Sequence, residues 1–171
     1  MDVYLAVASR RDHKTGYADR PVPDDVVTRI LDAGRLAGSA SNRQPWRFVR
    51  VESDDARERV AELVYSPSYV LEAPLVVVLV ATSGRSAGLD HGRAAQNMLV
   101  TAAGEALASS VTQFRDRDAA HEALGLGPDE QTALVTTFGY PRRPRDPHAR
   151  DAAEWSRRAD RRPLDELVTR I

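Results

Sequence analysis

The sequence predicts an α+β fold, in which helices flank a sheet at the centre of the molecule. Two of the observations behind this prediction are strand patterns. Residues 47–52 alternate polar and apolar side chains, and Leu75–Val80 is a continuous, largely β-branched run, typical of a central strand covered on both faces. The third is an alanine-rich helical pattern from Gly92 to about Leu107, which indicates the most buried helix.

The other elements follow from capping residues and periodicity. Asp2 caps a short helix over 3–9, Pro23 opens a helix that runs to about 37, and Ser53 starts another that ends at 66–68. Short strands are expected at 109–114 and 133–138, with a short helix at 118–124. Asp90 is expected to be the N-cap of the alanine-rich helix. The predicted order is α-α-β-α-β-α-β-α-β.

Composition limits the classes of function. The 171 residues are 42% hydrophobic and 29% charged with a net charge of −1, so we expect one domain over 1–171 and no field that favours nucleic acid or an anionic membrane. The absence of cysteine excludes a disulfide framework, a thiolate nucleophile and cysteine–zinc chemistry. The longest apolar stretch, 74–81, is too short to span a bilayer, and no signal peptide is visible, so we expect a cytoplasmic protein.

Common catalytic motifs are missing from the sequence. There is no Gly-x-Ser-x-Gly elbow, no P-loop and no Gly-x-Gly-x-x-Gly, and the four histidines are scattered without a metal-ligand spacing. We therefore expect no metal site and no hydrolytic triad.

A small polar loop, Gly38 to Trp46, lies between a predicted helix and a predicted strand, and its backbone is open to a flat or anionic ligand. Two basic stretches, 10–14 and 157–162, carry arginine forks that suit a phosphate. The alternatives, a simple turn and solvated arginine clusters, stay open on these patterns alone.

The last thirty residues, about 141–171, are rich in proline and arginine and cannot form a core of their own. This tail either lacks a fixed structure or packs across another surface. Trp155, Leu164, Leu167 and Val168 favour the second interpretation.

An ordered series of motifs resembles the nitroreductase family of flavoproteins over nearly the whole chain. The motifs are Arg10-Arg11-Asp12-His13-Lys14, Arg20-Pro21-Val22-Pro23, Asn42-Arg43-Gln44-Pro45-Trp46-Arg47-Phe48, Glu72-Ala73-Pro74, Ala94-Ala95-Gln96-Asn97-Met98, Leu124-Gly125-Leu126, Phe138-Gly139-Tyr140-Pro141 and Arg161-Arg162-Pro163-Leu164.

The resemblance implies an α/β sandwich with a central, mostly antiparallel sheet. It also implies a homodimer with FMN at the subunit interface and a C-terminal tail that extends onto the partner subunit. The implied FMN contacts are Arg10, Arg11, Asp12, Lys14, Gly38, Ser39, Ala40, Ser41, Asn42, Ser66, Ser109, Ser110 and Arg161. Among these, Arg10, Arg11 and Arg161 would meet the phosphate, Lys14 the ring or ribityl arm, and backbone amides near Ser109 and Ser110 the flavin N5 edge.

The loop 38–42 would come from the other subunit. Tyr69 and Phe114 are candidates for stacking on substrate, and no catalytic side chain is expected, because the cofactor carries the chemistry.

Several residues depart from the family pattern. Asp12 stands where the family commonly has serine, Ser66 and Tyr69 replace an amide and a basic residue near the pyrimidine ring, and Ala159 replaces a lysine. The short link from 81 to 88 predicts an open site.

The leading hypothesis is an FMN-dependent oxidoreductase that transfers a hydride from NAD(P)H to a small oxidant, such as a nitroaromatic or a quinone, by a ping-pong mechanism. Two alternatives remain: an oxidase or dehydrogenase of a biosynthetic intermediate, and a flavin-binding protein without turnover.

Overall fold

The computed structural model describes residues 2–13, 16–82 and 87–171. The chain divides into two compact units, one formed by residues 1–10 and 145–171 (the terminal unit) and the other by residues 11–144 (the sheet unit). In chain order the helices are α1 (Val3–Ser9), α2 (Asp24–Arg35), α3 (Asp54–Leu63), α4 (Pro67–Leu71), α5 (Ala87–Gly104), α6 (Arg117–Ala123) and α7 (Ala152–Arg157). The strands are β1 (Trp46–Val51), β2 (Leu75–Ala81), β3 (Ala108–Thr112) and β4 (Gln131–Gly139).

The four strands form one antiparallel sheet in the order β1-β2-β4-β3. Strand β2 pairs with β1 on one side and β4 on the other, and every one of its residues is buried. The predicted central strand and the α+β architecture are confirmed.

The side chains of β2 point alternately into two separate cores, as strand geometry requires. Leu75, Val77 and Leu79 face the cluster built by α2 and α5, which includes Ile30 and Met98. Residues 76, 78 and 80 face a second cluster, to which α3, α4 and α6 contribute. The sheet is therefore the middle layer of three.

Two predictions about element boundaries are wrong. Helix α5 begins at Ala87, so Asp90 lies inside its first turn and is buried; it is not the N-cap. The segment 66–68 does not only end α3, because Pro67 occupies the first turn of α4. A proline there has no hydrogen-bonded N–H to lose, and its fixed φ suits the start of a helix.

The terminal unit has a small buried centre of its own. Trp155 of α7 is 2% exposed, and its indole Nε1 donates to the carbonyl of Pro147 at 2.8 Å. The guanidinium carbons of Arg145 and Arg150 lie 4.3 and 4.8 Å from the centroid of the Trp155 ring. These contacts of Trp155 lie within its own unit, whereas Leu164, Leu167 and Val168 remain exposed.

None of the helices in the described part of the chain combines the length and the apolar character that crossing a membrane requires.

Helices α2 and α5 approach each other closely at Gly34. A Cβ atom on residue 34 would lie 2.9 Å from Met98 Cγ and 3.0 Å from Phe48 Cζ. The absence of a side chain at this position lets α2 pack against α5 and β1 at once.

We predict that Gly34→Ala destabilises the protein by about 1–2 kcal/mol. Overpacking costs about 1–3 kcal/mol, and this exceeds the gain in helix propensity of up to about 1 kcal/mol. Urea unfolding monitored by circular dichroism measures the difference. Gly104→Ala is the matched control, because nothing lies within 4 Å of a Cβ atom there. Equal stability of the two variants would contradict the prediction.

Candidate functional site

The loop between α2 and β1, residues 38–44, is termed the cradle loop. Ser41, Asn42 and Gln44 have φ values of 52°, 53° and 50°. Left-handed backbone is unfavourable for residues with a side chain, and such strain clusters at functional sites. Three such residues within four positions set this loop apart from an ordinary turn.

Hydrogen bonds within the loop support this conformation. The hydroxyl Oγ of Ser39 accepts from the backbone N–H of Gln44 at 2.8 Å, and Gln44 Nε2 donates to the carbonyl of Asn42 at 3.3 Å. Residues 40–44 are exposed. The loop therefore exposes to solvent a backbone that is held by hydrogen bonds. This agrees with the prediction that its backbone is open to a ligand.

The segment that carries the predicted phosphate contacts lies along the edge of the sheet. Asp12 forms a parallel bridge with Ser109 of β3, and the N–H of His13 donates to the Ser109 carbonyl at 3.0 Å. Arg11, Asp12, Ser109 and Ser110 are thus brought together at the edge of β3 that does not pair with β4. Asp12 is exposed, while the two serines are buried.

A chain of buried hydroxyl groups lies beneath this edge. Ser110 Oγ lies 2.8 Å from Thr137 Oγ1, which lies 3.2 Å from the hydroxyl of Tyr17. Burial raises the pKa of the Tyr17 phenol, although its hydrogen bonds to Thr137 and Ser110 oppose the shift. The ring of His13 lies 4.7 Å from that of Tyr17. The network joins Tyr17 to β3 and β4.

The remaining predicted residues of the sheet unit lie at α4 and after β3. Ser66 is the N-cap residue of α4 and Tyr69 lies within that helix, both half-buried. Phe114 is 5% exposed and belongs to the second core cluster. The roles of Ser66, Tyr69 and Phe114 at a flavin or substrate stay predictions.

Arg10 and Arg161 belong to the terminal unit, where Arg10 is the C-cap residue of α1 and Arg161 is exposed. Their contacts to a phosphate stay predictions. Lys14, which is predicted to contact the ring or ribityl arm, lies outside the described residues.

Sequence reasoning missed Tyr17 and Arg93. Tyr17 sits in an irregular segment without periodicity, so nothing in its neighbours indicates burial. Arg93 follows Gly92 on the exposed face of α5, opposite the alanine-rich face. The helical pattern predicts that Arg93 lies on the exposed face of α5, but it does not predict that the cradle loop lies beside it.

We predict that Tyr17→Phe lowers the free energy of unfolding by about 0.5–1.5 kcal/mol, the usual net value of a buried hydrogen bond. The same urea titration measures it. Tyr65→Phe serves as the control, because Tyr65 is 66% exposed and surface substitutions usually stay within about 0.5 kcal/mol. Indistinguishable stabilities would show that the hydroxyl chain does not stabilise the fold at Tyr17.

Comparison with known proteins finds similarity to the nitroreductase family. The family model described as "Nitroreductase family" matches residues 7–86. A protein of Methanothermobacter thermautotrophicus assigned as NADH dehydrogenase/NAD(P)H nitroreductase is 32% identical over 107 residues, which are 60% of this chain and 56% of that protein. The chain thus spans little more than half of that relative.

Solved structures extend the similarity to the whole chain. A nitroreductase family protein from Clostridium difficile has a TM-score of 0.83 at 20% identity, covering 99% of this chain and 98% of that one, and shows the fold. A protein of Desulfovibrio desulfuricans assigned as a nitroreductase and solved in complex with FMN has a TM-score of 0.82 at 25% identity, covering 100% and 97%. The predicted resemblance to the nitroreductase family is confirmed by the family model, the relatives and the solved structures.

Proposed function

We propose that this chain is an FMN-dependent oxidoreductase that takes a hydride from NAD(P)H and passes it to a small oxidant, such as a nitroaromatic or a quinone. One observation carries the proposal: the exposed, left-handed cradle loop occurs in a chain whose whole length matches an FMN-bound relative. The names of its relatives support the reaction type, while the oxidant rests on the chemistry of the family.

The residues present fit a flavin nucleotide. The cradle loop offers exposed backbone and the small side chains of Ser39 and Ala40, so a flat ring system can approach its main chain. Arg11, beside the edge of β3, supplies a guanidinium that suits a phosphate. The acidic Asp12 next to it opposes an anion by Coulomb repulsion and should lower the affinity for the phosphate.

When bound, FMN supplies the hydride chemistry. The cradle loop would bind and orient the cofactor, and the Tyr17–Thr137–Ser110 hydroxyl chain would keep the neighbouring strand edge rigid. No side chain is assigned as a general acid or base. Arg10 and Arg161 are further phosphate contacts that the resemblance implies.

The proposal includes a homodimer with the flavin at the subunit interface and the tail on the partner subunit. Exposed apolar side chains on the terminal unit support it, since patches of this kind mark interaction surfaces. They are Val3, Tyr4 and Val7 on α1, and Leu164, Leu167, Val168 and Ile171 in the tail.

Cofactor uptake and reduction test the reaction. We expect the purified protein, titrated with FMN, to show a flavin absorbance spectrum that NADH or NADPH bleaches without oxygen and that a quinone or nitroaromatic restores. Absence of FMN uptake would refute the proposal, and bound FMN that neither nicotinamide bleaches would favour the oxidase alternative.

The matched variants for this experiment are Arg11→Ala and Arg59→Ala. Arg59 is an exposed residue of α3, away from the cradle loop. Loss of a charge-assisted hydrogen bond costs about 1.5–3 kcal/mol, so Arg11→Ala should weaken FMN binding by that amount while Arg59→Ala leaves it unchanged. Flavin fluorescence quenching measures both affinities.

The dimer is tested by the mass in solution. We expect light scattering to give twice the mass of the chain, and Leu167→Asp to shift the mass towards the monomer, because a charge in an apolar contact is unfavourable. Glu166→Asp is the control in the same turn. A monomeric wild-type protein would refute this part of the proposal.

A further inference from the structure

Arg93 lies on the exposed face of α5, one turn from both Leu89 and Asn97. The opposite face of the helix, which includes Ala94 and Met98, is buried in the first core cluster. Packing on that side fixes the helix, so the position of the Arg93 backbone is set by the core.

The guanidinium of Arg93 rests against Gly38, the first residue of the cradle loop. A Cβ atom on residue 38 would lie 2.4 Å from Arg93 Nη2 and 3.1 Å from its Cζ. Any side chain at position 38 would therefore push the guanidinium away. The glycine and the arginine are matched, although they are 55 positions apart in the sequence.

A cavity of about 440 Å³ opens beside this contact. Its lining residues are Ala37, Gly38, Gly88, Leu89, Gly92, Arg93, Gln96 and Asn97. Nothing lies within 4 Å of a Cβ atom built on Gly88 or Gly92, so the glycines leave open space above the helix. The amide of Gln96 is exposed and adds a donor.

The positive charge in this cavity is the guanidinium of Arg93. Within the described ranges 2–13, 16–82 and 87–171, no carboxylate pairs with Arg93 and no group accepts a hydrogen bond from it. Asn97 is occupied, because its Nδ2 donates to the Ala33 carbonyl at 3.1 Å. The cavity thus has space for a ligand, the planar cation of Arg93 and the amide of Gln96.

We propose that Arg93 and Gln96 form an anion subsite beside the cradle loop, which binds the phosphate or carboxylate group of the hydride donor or the oxidant. The inference rests on the proposed function for the identity of these substrates. A guanidinium presents parallel N–H donors that match both anions. Arg93 is a specificity residue in this arrangement, and takes no part in the hydride transfer.

The test measures ligand binding to the oxidised FMN-loaded protein, which none of the ligands can reduce. The ligands are NADP⁺, NAD⁺, 4-nitrobenzoate and nitrobenzene. Their binding is measured by calorimetry or by the change that they cause in the flavin spectrum. The variants are Arg93→Gln and, as a control that removes the same charge from α3, Arg59→Gln.

We expect Arg93→Gln to lower the affinity for at least one anionic ligand about tenfold, the loss typical of one charge-assisted hydrogen bond. The affinity for nitrobenzene should change less than twofold. A loss of affinity for NADP⁺ alone places its extra phosphate in the subsite, whereas an equal loss for NAD⁺ places the shared pyrophosphate there. A loss of affinity for 4-nitrobenzoate places the carboxylate there. The proposal is overturned if Arg93→Gln and Arg59→Gln have the same affinity for every anionic ligand. It is also overturned if Arg93→Gln weakens the binding of nitrobenzene as much as that of the anions.

Gly38→Ala gives a second test that keeps the charge. The added methyl group displaces the flexible end of Arg93, so anion affinity should fall as in Arg93→Gln. The double variant should be no weaker than Arg93→Gln alone, because both changes remove one contact. Additive losses would overturn the proposal. Failure of FMN uptake by the wild-type protein would refute the proposed function instead; in that case the same comparison is made by calorimetry on the FMN-free protein.

Discussion

The complete burial of β2 is the constraint on which the rest of the structure depends. A strand that is apolar on both faces needs a layer on each side, and a pairing partner along each edge. Here α2 and α5 cover one face, α3, α4 and α6 contribute to the cover of the other, and β1 and β4 satisfy its backbone. Each remaining element of the sheet unit is placed by its relation to this strand.

The candidate site follows from that arrangement. Helix α2 is held against α5 and β1 at Gly34, and the chain must cross the gap between the end of α2 and the start of β1. The cradle loop bridges this gap with left-handed residues, and Ser39 braces it. Strain in the loop is therefore supported by core packing on both sides, which is the condition under which strained backbone persists.

Charge is distributed unevenly around the site. Arg11 and the acidic Asp12 adjoin the buried hydroxyl chain at the edge of β3, whereas the guanidinium of Arg93 lies against Gly38 of the cradle loop. In the two proposals, Arg11 acts on cofactor affinity and Arg93 on ligand choice, because a guanidinium suits both phosphate and carboxylate groups. This separation distinguishes the two proposals made for this chain.

The sequence alone determined the architecture, because a wholly apolar strand, an alternating strand and an alanine-rich helix leave few ways to bury their side chains. It also located the cradle loop and, through the family motifs, the segment at Arg11 and Asp12. It misplaced the start of α5, since the burial of Asp90 depends on tertiary contacts. Only the tertiary structure decided the hydroxyl chain of Tyr17 and the contact between Gly38 and Arg93. Both join residues far apart in the chain, and local patterns carry no information about such distances.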